Sequence, residues 1–176
     1  MTNVDPRDSQ FVQAVRVLQI VVAALLAGVV MFTGVVLQMN GLLPLPEKLE
    51  DVDLISIIGI VFAVLVLPLQ WIVGRIVAAG AIRMQGLDDP KQQGEPEAWR
   101  PWFGVYQTKT IISAAMCEGI AFMNLAYYMI FKSSVSLFGA AILVVALALM
   151  FPTPARVAAW IDAQQQRIRQ EEQFRR

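Results

Sequence analysis

Glu118 is the ionisable residue that lies deepest within an apolar run of this sequence. It follows Thr110, where the run begins, by eight residues, so a helix would carry it about 12 Å into a hydrocarbon core about 30 Å thick. A carboxyl group at that depth costs roughly 3 kcal/mol and marks a candidate functional site. Two roles are open to it: exchange of a proton or cation, or a hydrogen bond that holds helices together.

The polar residues that could partner Glu118 lie at the same end of the other apolar runs. Arg16 and Gln19 begin the first run, and Gln70 lies near the end of the second. Pro68 in that second run leaves a backbone carbonyl without its helical donor. Because Gln19 is shallower than Glu118, the two side chains would have to reach toward each other. The sequence thus predicts an ion, proton or helix–helix site at Glu118, Arg16, Gln19 and Gln70.

The composition excludes most catalytic constellations. The chain has no histidine, so it offers neither a Ser-His-Asp triad nor histidine ligands for haem or metal. The single cysteine, Cys117, excludes an intrachain disulfide and a CxxC motif. The acids of segment 38–53 lack the ligand spacing and turn glycine of a calcium loop. We therefore predict no catalytic residue, no metal site and no cofactor, and a protein that is not an enzyme.

The hydrophobic content predicts the elements that position Glu118. Of the 176 residues, 57% are hydrophobic and 16% are charged, against about 45–50% and about 25% in soluble domains. In lipid, a spanning segment of roughly 20 residues satisfies its backbone as a helix. The fold class is therefore predicted to be all-α, a four-helix integral membrane bundle with spans at 17–37, 54–74, 110–131 and 135–151.

The charges predict the orientation of the bundle. Only Lys48 and Lys132 fall on one side of the four-span arrangement, together with the acidic loop 38–53. The other twelve basic residues fall on the opposite side: Arg7, Arg16, Arg75, Arg83, Lys91, Arg100, Lys109, Arg156, Arg167, Arg169, Arg175 and Arg176. By the positive-inside rule, we expect both termini in the cytoplasm and a multi-pass protein of the bacterial cytoplasmic (inner) membrane. The zero net charge argues against nucleic acid as a partner.

The connecting segments differ in character. Residues 1–16 form the cytoplasmic N-terminus, 132–134 make a tight external turn, and 152–176 are predicted to form a cytoplasmic tail helix. The cytoplasmic linker 75–109 begins as an extension of the second helix and ends in an aromatic and basic segment. Aromatic residues beside basic ones are typical of the membrane interface, which gives these predicted anchors: Trp99, Trp102, Trp160, Arg100 and Arg156.

Small residues predict where helices approach closely. Pairs of small residues four apart allow such contacts in lipid, and two pairs stand out: Ala24 with Gly28 in the first span, and Ala115 with Gly119 in the third. Farther out in the third span, Tyr128 is expected at the external aromatic belt.

The stretch from Lys109 to Phe131 (KTIISAAMCEGIAFMNLAYYMIF) resembles the ion-carrying second helix of rotary ATPase c-subunits, which also holds one carboxylate in an apolar helix. The preceding run lacks the glycine-rich packing face of c-rings. In outline the chain is also similar to small multidrug exporters, which are shorter and carry the acid in their first span. As a whole it resembles bacterial four-span membrane proteins of unknown function with an acid–glycine pair in the third helix, here Glu118–Gly119. That resemblance implies no activity.

Two functional hypotheses follow from these observations. The first is a non-enzymatic structural or accessory membrane component that self-associates or joins other membrane subunits. The second is a small proton- or cation-coupled transporter or channel that uses Glu118 as its coupling acid. In both, the lipid bilayer is the immediate partner of the chain.

Overall fold

The computed structural model describes residues 8–41, 54–84 and 99–175. Within these ranges the chain forms five α-helices and no β-strand, which confirms the all-α prediction. The helices are α1 (Ser9–Asn40), α2 (Leu54–Met84), α3 (Trp99–Phe131), α4 (Ser134–Leu149) and α5 (Pro154–Arg175). The predicted acidic side chains of the external loop, and residues 85–98 of the cytoplasmic linker, lie outside the described residues.

The first three helices are long enough and apolar enough to cross a membrane. They contain 32, 31 and 33 residues, which corresponds to about 46–50 Å at 1.5 Å per residue. Each therefore exceeds a hydrocarbon core of about 30 Å. The excess lies partly in α3, which begins at Trp99 rather than at the predicted residue 110, and in α2, which extends to Met84.

The fourth predicted span corresponds to a shorter helix. With 16 residues, α4 is only about 24 Å long. It continues after a short break into α5, which is bent from it by 75°. The described chain thus has three candidate spans, or four when α4 and α5 are taken as one bent pair.

Helix α3 is the centre of the bundle. It packs against each of the other four helices, whereas no Cα of α1 lies within 8 Å of a Cα of α2 among the described residues. Helices α3 and α4 are neighbours joined by Lys132 and Ser133, as the short predicted turn requires. Lys132 adopts a left-handed conformation with φ of 53°, and its N–H donates to the carbonyl of Tyr128 at 2.9 Å.

The inward face of α2 is built from small side chains. Small buried residues recur along it at helical spacing: Ser56, Gly59, Ala63, Gly74 and Ala78. Small residues let helix backbones approach closely in lipid, so this stripe places α2 directly against α3. The sequence prediction found small pairs on α1 and α3 and did not include this stripe.

The buried residues form two separate clusters. The first, here the bundle core, contains residues of all four helices α1, α2, α3 and α4: Val29, Ala63, Val66, Ala114, Cys117, Ala121, Leu125, Ala140, Leu143 and Leu147. The second, here the α5-end core, joins α5 to the projecting ends of α1, α2 and α3: Phe11, Val15, Leu18, Val22, Ala78, Trp102, Phe103, Val105, Tyr106, Val157, Ala158 and Ile161. The bend after α4 allows α5 to cover these projecting ends.

Candidate functional site

Glu118 of α3 lies beside Gly28 of α1. Its Oε1 is 3.7 Å from the point that a Cβ on Gly28 would occupy, and the ring of Phe122 is 3.9 Å from the same point. One turn farther out, Phe32 of α1 packs edge-on against Phe122, with ring centroids 5.3 Å apart. The Glu118 side chain is partly exposed, and no residue of the described ranges forms a hydrogen bond or ion pair with it.

The predicted partners form no hydrogen bond or ion pair with Glu118. Arg16 is exposed on α1. Gln19 donates its Nε2 to the backbone carbonyl of Pro152 at 2.8 Å, which ties α1 to the corner between α4 and α5. The four residues of the predicted site therefore do not converge on one point.

Gln70 connects α2 to α3 through two hydrogen bonds. The thiol of Cys117 donates to Gln70 Oε1 at 2.9 Å, and the Ser113 hydroxyl donates to the Gln70 backbone carbonyl at 3.3 Å. Cys117 is fully buried, but it has this polar partner in the apolar middle of the bundle. Gln70 thus serves as a contact between helices within the chain.

Asn124 is a buried polar residue that the sequence analysis did not select. It is fully buried, and its Nδ2 donates to the carbonyls of Gly59 at 3.2 Å and Ile120 at 2.9 Å. Its Oδ1 has no hydrogen-bond partner and faces two glycines: it lies 2.7 Å from a Cβ position on Gly59 and 2.9 Å from one on Gly139. Its position in an apolar run could have identified Asn124 as a contact between helices, because polar side chains in spans form hydrogen bonds to neighbouring helices.

Two more polar contacts lie at the end of the bundle opposite α5. The buried hydroxyl of Ser136 donates to that of Ser56 at 3.2 Å, which joins α4 to α2. The hydroxyl of Tyr128 donates to the carbonyl of Gly41, which ties α3 to the end of α1. Tyr128 is fully buried, so the expectation that it lies in an external aromatic belt is wrong.

The small residues predicted to mediate packing occupy different environments. Gly28 faces Glu118 and Phe122 at the contact between α1 and α3. Ala24, Ala115 and Gly119 are exposed, and no atom lies within 4 Å of a Cβ position on Gly119. Within one chain, three of the four residues therefore do not pack between helices.

The predicted interface anchors are divided between the surface and the interior. Trp102 is only 2% exposed and lies inside the α5-end core, so its ring cannot reach headgroups. Trp99 packs edge-on against Phe11 with centroids 5.2 Å apart, and Trp160 does so against Tyr106 at 5.3 Å.

The two predicted arginine anchors are exposed and hydrogen-bonded. Arg100 donates Nη2 to Gln10 Oε1 at 3.1 Å, which joins the start of α3 to the start of α1. Arg156 donates Nη1 to the carbonyl of Leu149 at 2.8 Å. That bond satisfies a carbonyl at the end of α4, where the last carbonyls of a helix have no N–H donor within the helix.

No protein-family model, curated protein or solved structure matches the chain. Among the described residues, no three histidine, cysteine, aspartate or glutamate side chains are grouped as metal ligands would be.

Proposed function

We propose that the chain is a non-enzymatic, multi-pass component of a bacterial cytoplasmic membrane that associates with a second copy of itself through the outer face of α1 and α3. The observation that carries this proposal is the carboxyl group of Glu118, which has no partner among the described residues. A carboxyl group within a span is costly unless it is paired or hydrogen-bonded. A second copy supplies such a partner at the same depth.

The surface around Glu118 supports close approach by another helix. Ala115 and Gly119 flank the acid on α3 and are exposed, and the space beside Gly119 is open. Small residues favour helix–helix contact in lipid, where packing and hydrogen bonds drive association. In a two-fold arrangement the same patch meets itself, so the two Glu118 side chains would face each other.

Cross-linking in native membranes tests this proposal. In a Cys117→Ser background, we expect Ala115→Cys to give dimers with a short bis-maleimide. The matched control is Val145→Cys on α4, which is also exposed and apolar but belongs to another face, and which should stay monomeric. Adding Gly119→Leu to Ala115→Cys should abolish the dimer, because the larger side chain fills the open space. Recovery of monomer alone from Ala115→Cys would overturn the proposal.

The second candidate function is proton- or cation-coupled transport through Glu118. The partial exposure of its side chain favours this function, because a coupling acid must exchange its ion. Liposomes containing the parent protein would then show a flux that Glu118→Gln abolishes and the exposed control Glu171→Gln leaves unchanged. Absence of flux in the parent protein excludes this candidate.

A further inference from the structure

A large cleft opens at the α5 end of the molecule. Its volume is about 1040 Å³, and its walls come from α2, α3, α5 and the end of α4. Helix α5 packs against α1 and α3, whereas no Cα of α5 lies within 8 Å of a Cα of α2 among the described residues. The 75° bend between α4 and α5 thus leaves a gap between α2 and α5, with α3 as its floor.

The charged side chains that line the cleft are mostly basic: Arg75, Arg83, Lys109, Arg156, Arg167 and Glu171. Arg167 and Glu171 pair with each other at 3.7 Å and are both well exposed. No acidic side chain of the described residues forms an ion pair with the other four cations. The cleft therefore concentrates positive charge that the described part of the chain does not balance.

Lys109 is held at the floor of the cleft. Its Cγ lies 3.2 Å from the point that a Cβ on Gly74 would occupy, so the absence of a side chain at Gly74 makes room for the lysine stem. Its Nζ lies 5.3 Å from the ring centre of Tyr106 and 5.0 Å from that of Trp160. Such cation–π contacts orient the ammonium group. The like charge of Arg75, on α2, is close enough to repel it.

Two arginines hold their guanidinium groups in place on opposite walls. The guanidinium carbon of Arg75 lies 3.5 Å from the ring centre of Trp71 on the α2 side. Arg156 binds the carbonyls of Leu149 and Phe151 through Nη1 on the α5 side. Lysine and arginine donors fixed around one space suit an anion with several oxygens, and phosphate is such an anion.

The rim of the cleft is apolar and exposed. Trp71, Ile76 and Leu149 line it, and their side chains are 58%, 66% and 68% exposed, respectively. These residues belong to the apolar surfaces of α2 and α4. A ligand that places an anionic group among the cations and hydrocarbon against this rim would match both parts of the cleft.

We propose that this cleft binds a phosphate-bearing anion, namely the headgroup of an anionic phospholipid, between Arg75, Lys109 and Arg156. Basic pockets between spanning helices are a recognised form of lipid headgroup site. A soluble phosphate compound could bind the same cations, but it has no hydrocarbon chain to contact the apolar rim. The cleft shares no residue with the face formed by Ala115, Glu118 and Gly119.

Native mass spectrometry of the full chain in a neutral detergent tests the proposal. We expect phosphatidylglycerol to remain bound, phosphatidylcholine to bind much less, and a large excess of glycerol phosphate not to displace the bound lipid. Arg75→Gln and Lys109→Gln should each weaken phosphatidylglycerol binding roughly tenfold, as expected when one charge-assisted hydrogen bond to phosphate is lost.

Two further variants keep the result interpretable. Arg83→Gln removes an exposed cleft cation that forms no hydrogen bond, ion pair or ring contact among the described residues, so it should weaken binding without affecting the fold. Arg16→Gln removes an exposed cation of α1 that does not line the cleft, and it should leave binding unchanged. Equal losses from Arg16→Gln and from the cleft variants would show general surface attraction and overturn the proposal. Displacement of the lipid by glycerol phosphate would overturn the assignment to a lipid.

Discussion

Asn124 of α3 and Gly59 of α2 form a hydrogen-bonded close contact between the two helices. The Asn124 Nδ2 donates to the Gly59 carbonyl at 3.2 Å, while its Oδ1 lies 2.7 Å from where a Cβ on Gly59 would stand. Gly139 of α4 leaves room for the same oxygen at 2.9 Å. Three helices therefore meet around one amide side chain because two of them present glycine there.

The first prediction concerns Gly59→Ala. The new methyl group would lie too close to Asn124 Oδ1 and would also be 3.1 Å from the Tyr127 ring. Overpacking of this kind costs about 1–3 kcal/mol, so we expect a lower midpoint of thermal unfolding by circular dichroism in detergent. Gly34→Ala is the matched control, because no atom lies within 4 Å of its Cβ position. A Gly59→Ala protein as stable as the parent would contradict the close approach.

The second prediction concerns the amide of Asn124. In Asn124→Asp an oxygen replaces Nδ2, which donates to the Gly59 and Ile120 carbonyls. Even a protonated aspartic acid has a single O–H donor, so at least one of these two bonds is lost in a buried place. Leaving buried polar groups unpaired costs about 1–3 kcal/mol each, and we expect a marked loss of thermal stability in detergent. Asn40→Asp, which removes a single longer bond at the end of α1, should cost less. Equal losses from the two variants would assign no special role to Asn124.

The third prediction concerns the turn between α3 and α4. Lys132 has a positive φ of 53°, a conformation that costs a side chain about 1–2 kcal/mol and glycine little. Lys132→Gly should raise the thermal midpoint, and the β-branched Lys132→Val should lower it. Ser133→Gly is the control, because Ser133 has φ of −88° and gains nothing from glycine. A midpoint lowered by Lys132→Gly would refute the left-handed turn.

The apolar helices were predictable from the sequence because hydrophobicity is a property of each residue. The runs that contain Val29, Ala63 and Ala121 are apolar whatever their neighbours are, and the short link at Lys132 allows only adjacent helices. The aromatic segment was harder. Trp102 near Arg100 is typical of a membrane interface. Helix α5 packs over that end of the bundle, however, and buries the Trp102 side chain.

The polar contacts were less predictable because they depend on how the helices are rotated about their axes. Gln70 was one of the candidate partners of Glu118, yet Cys117, one residue earlier, faces α2 and donates to Gln70. A rotation of about 100° separates successive residues of a helix, and hydropathy does not determine it. The small-residue stripe of α2, from Ser56 to Ala78, does indicate the rotation of α2, because it marks the face that α3 approaches.

The fourth prediction tests the orientation proposed from the basic residues. With both termini in the cytoplasm, Ser133 in the turn between α3 and α4 lies on the external side of the cytoplasmic membrane, and Arg169 of α5 lies on the cytoplasmic side. In intact cells a membrane-impermeant maleimide should label Ser133→Cys but not Arg169→Cys, and after lysis it should label both. The native thiol of Cys117 is fully buried and should contribute little background. Labelling of Arg169→Cys in intact cells would reverse the orientation and place the basic cleft on the outer side, where the proposed headgroup would have to come from the outer leaflet.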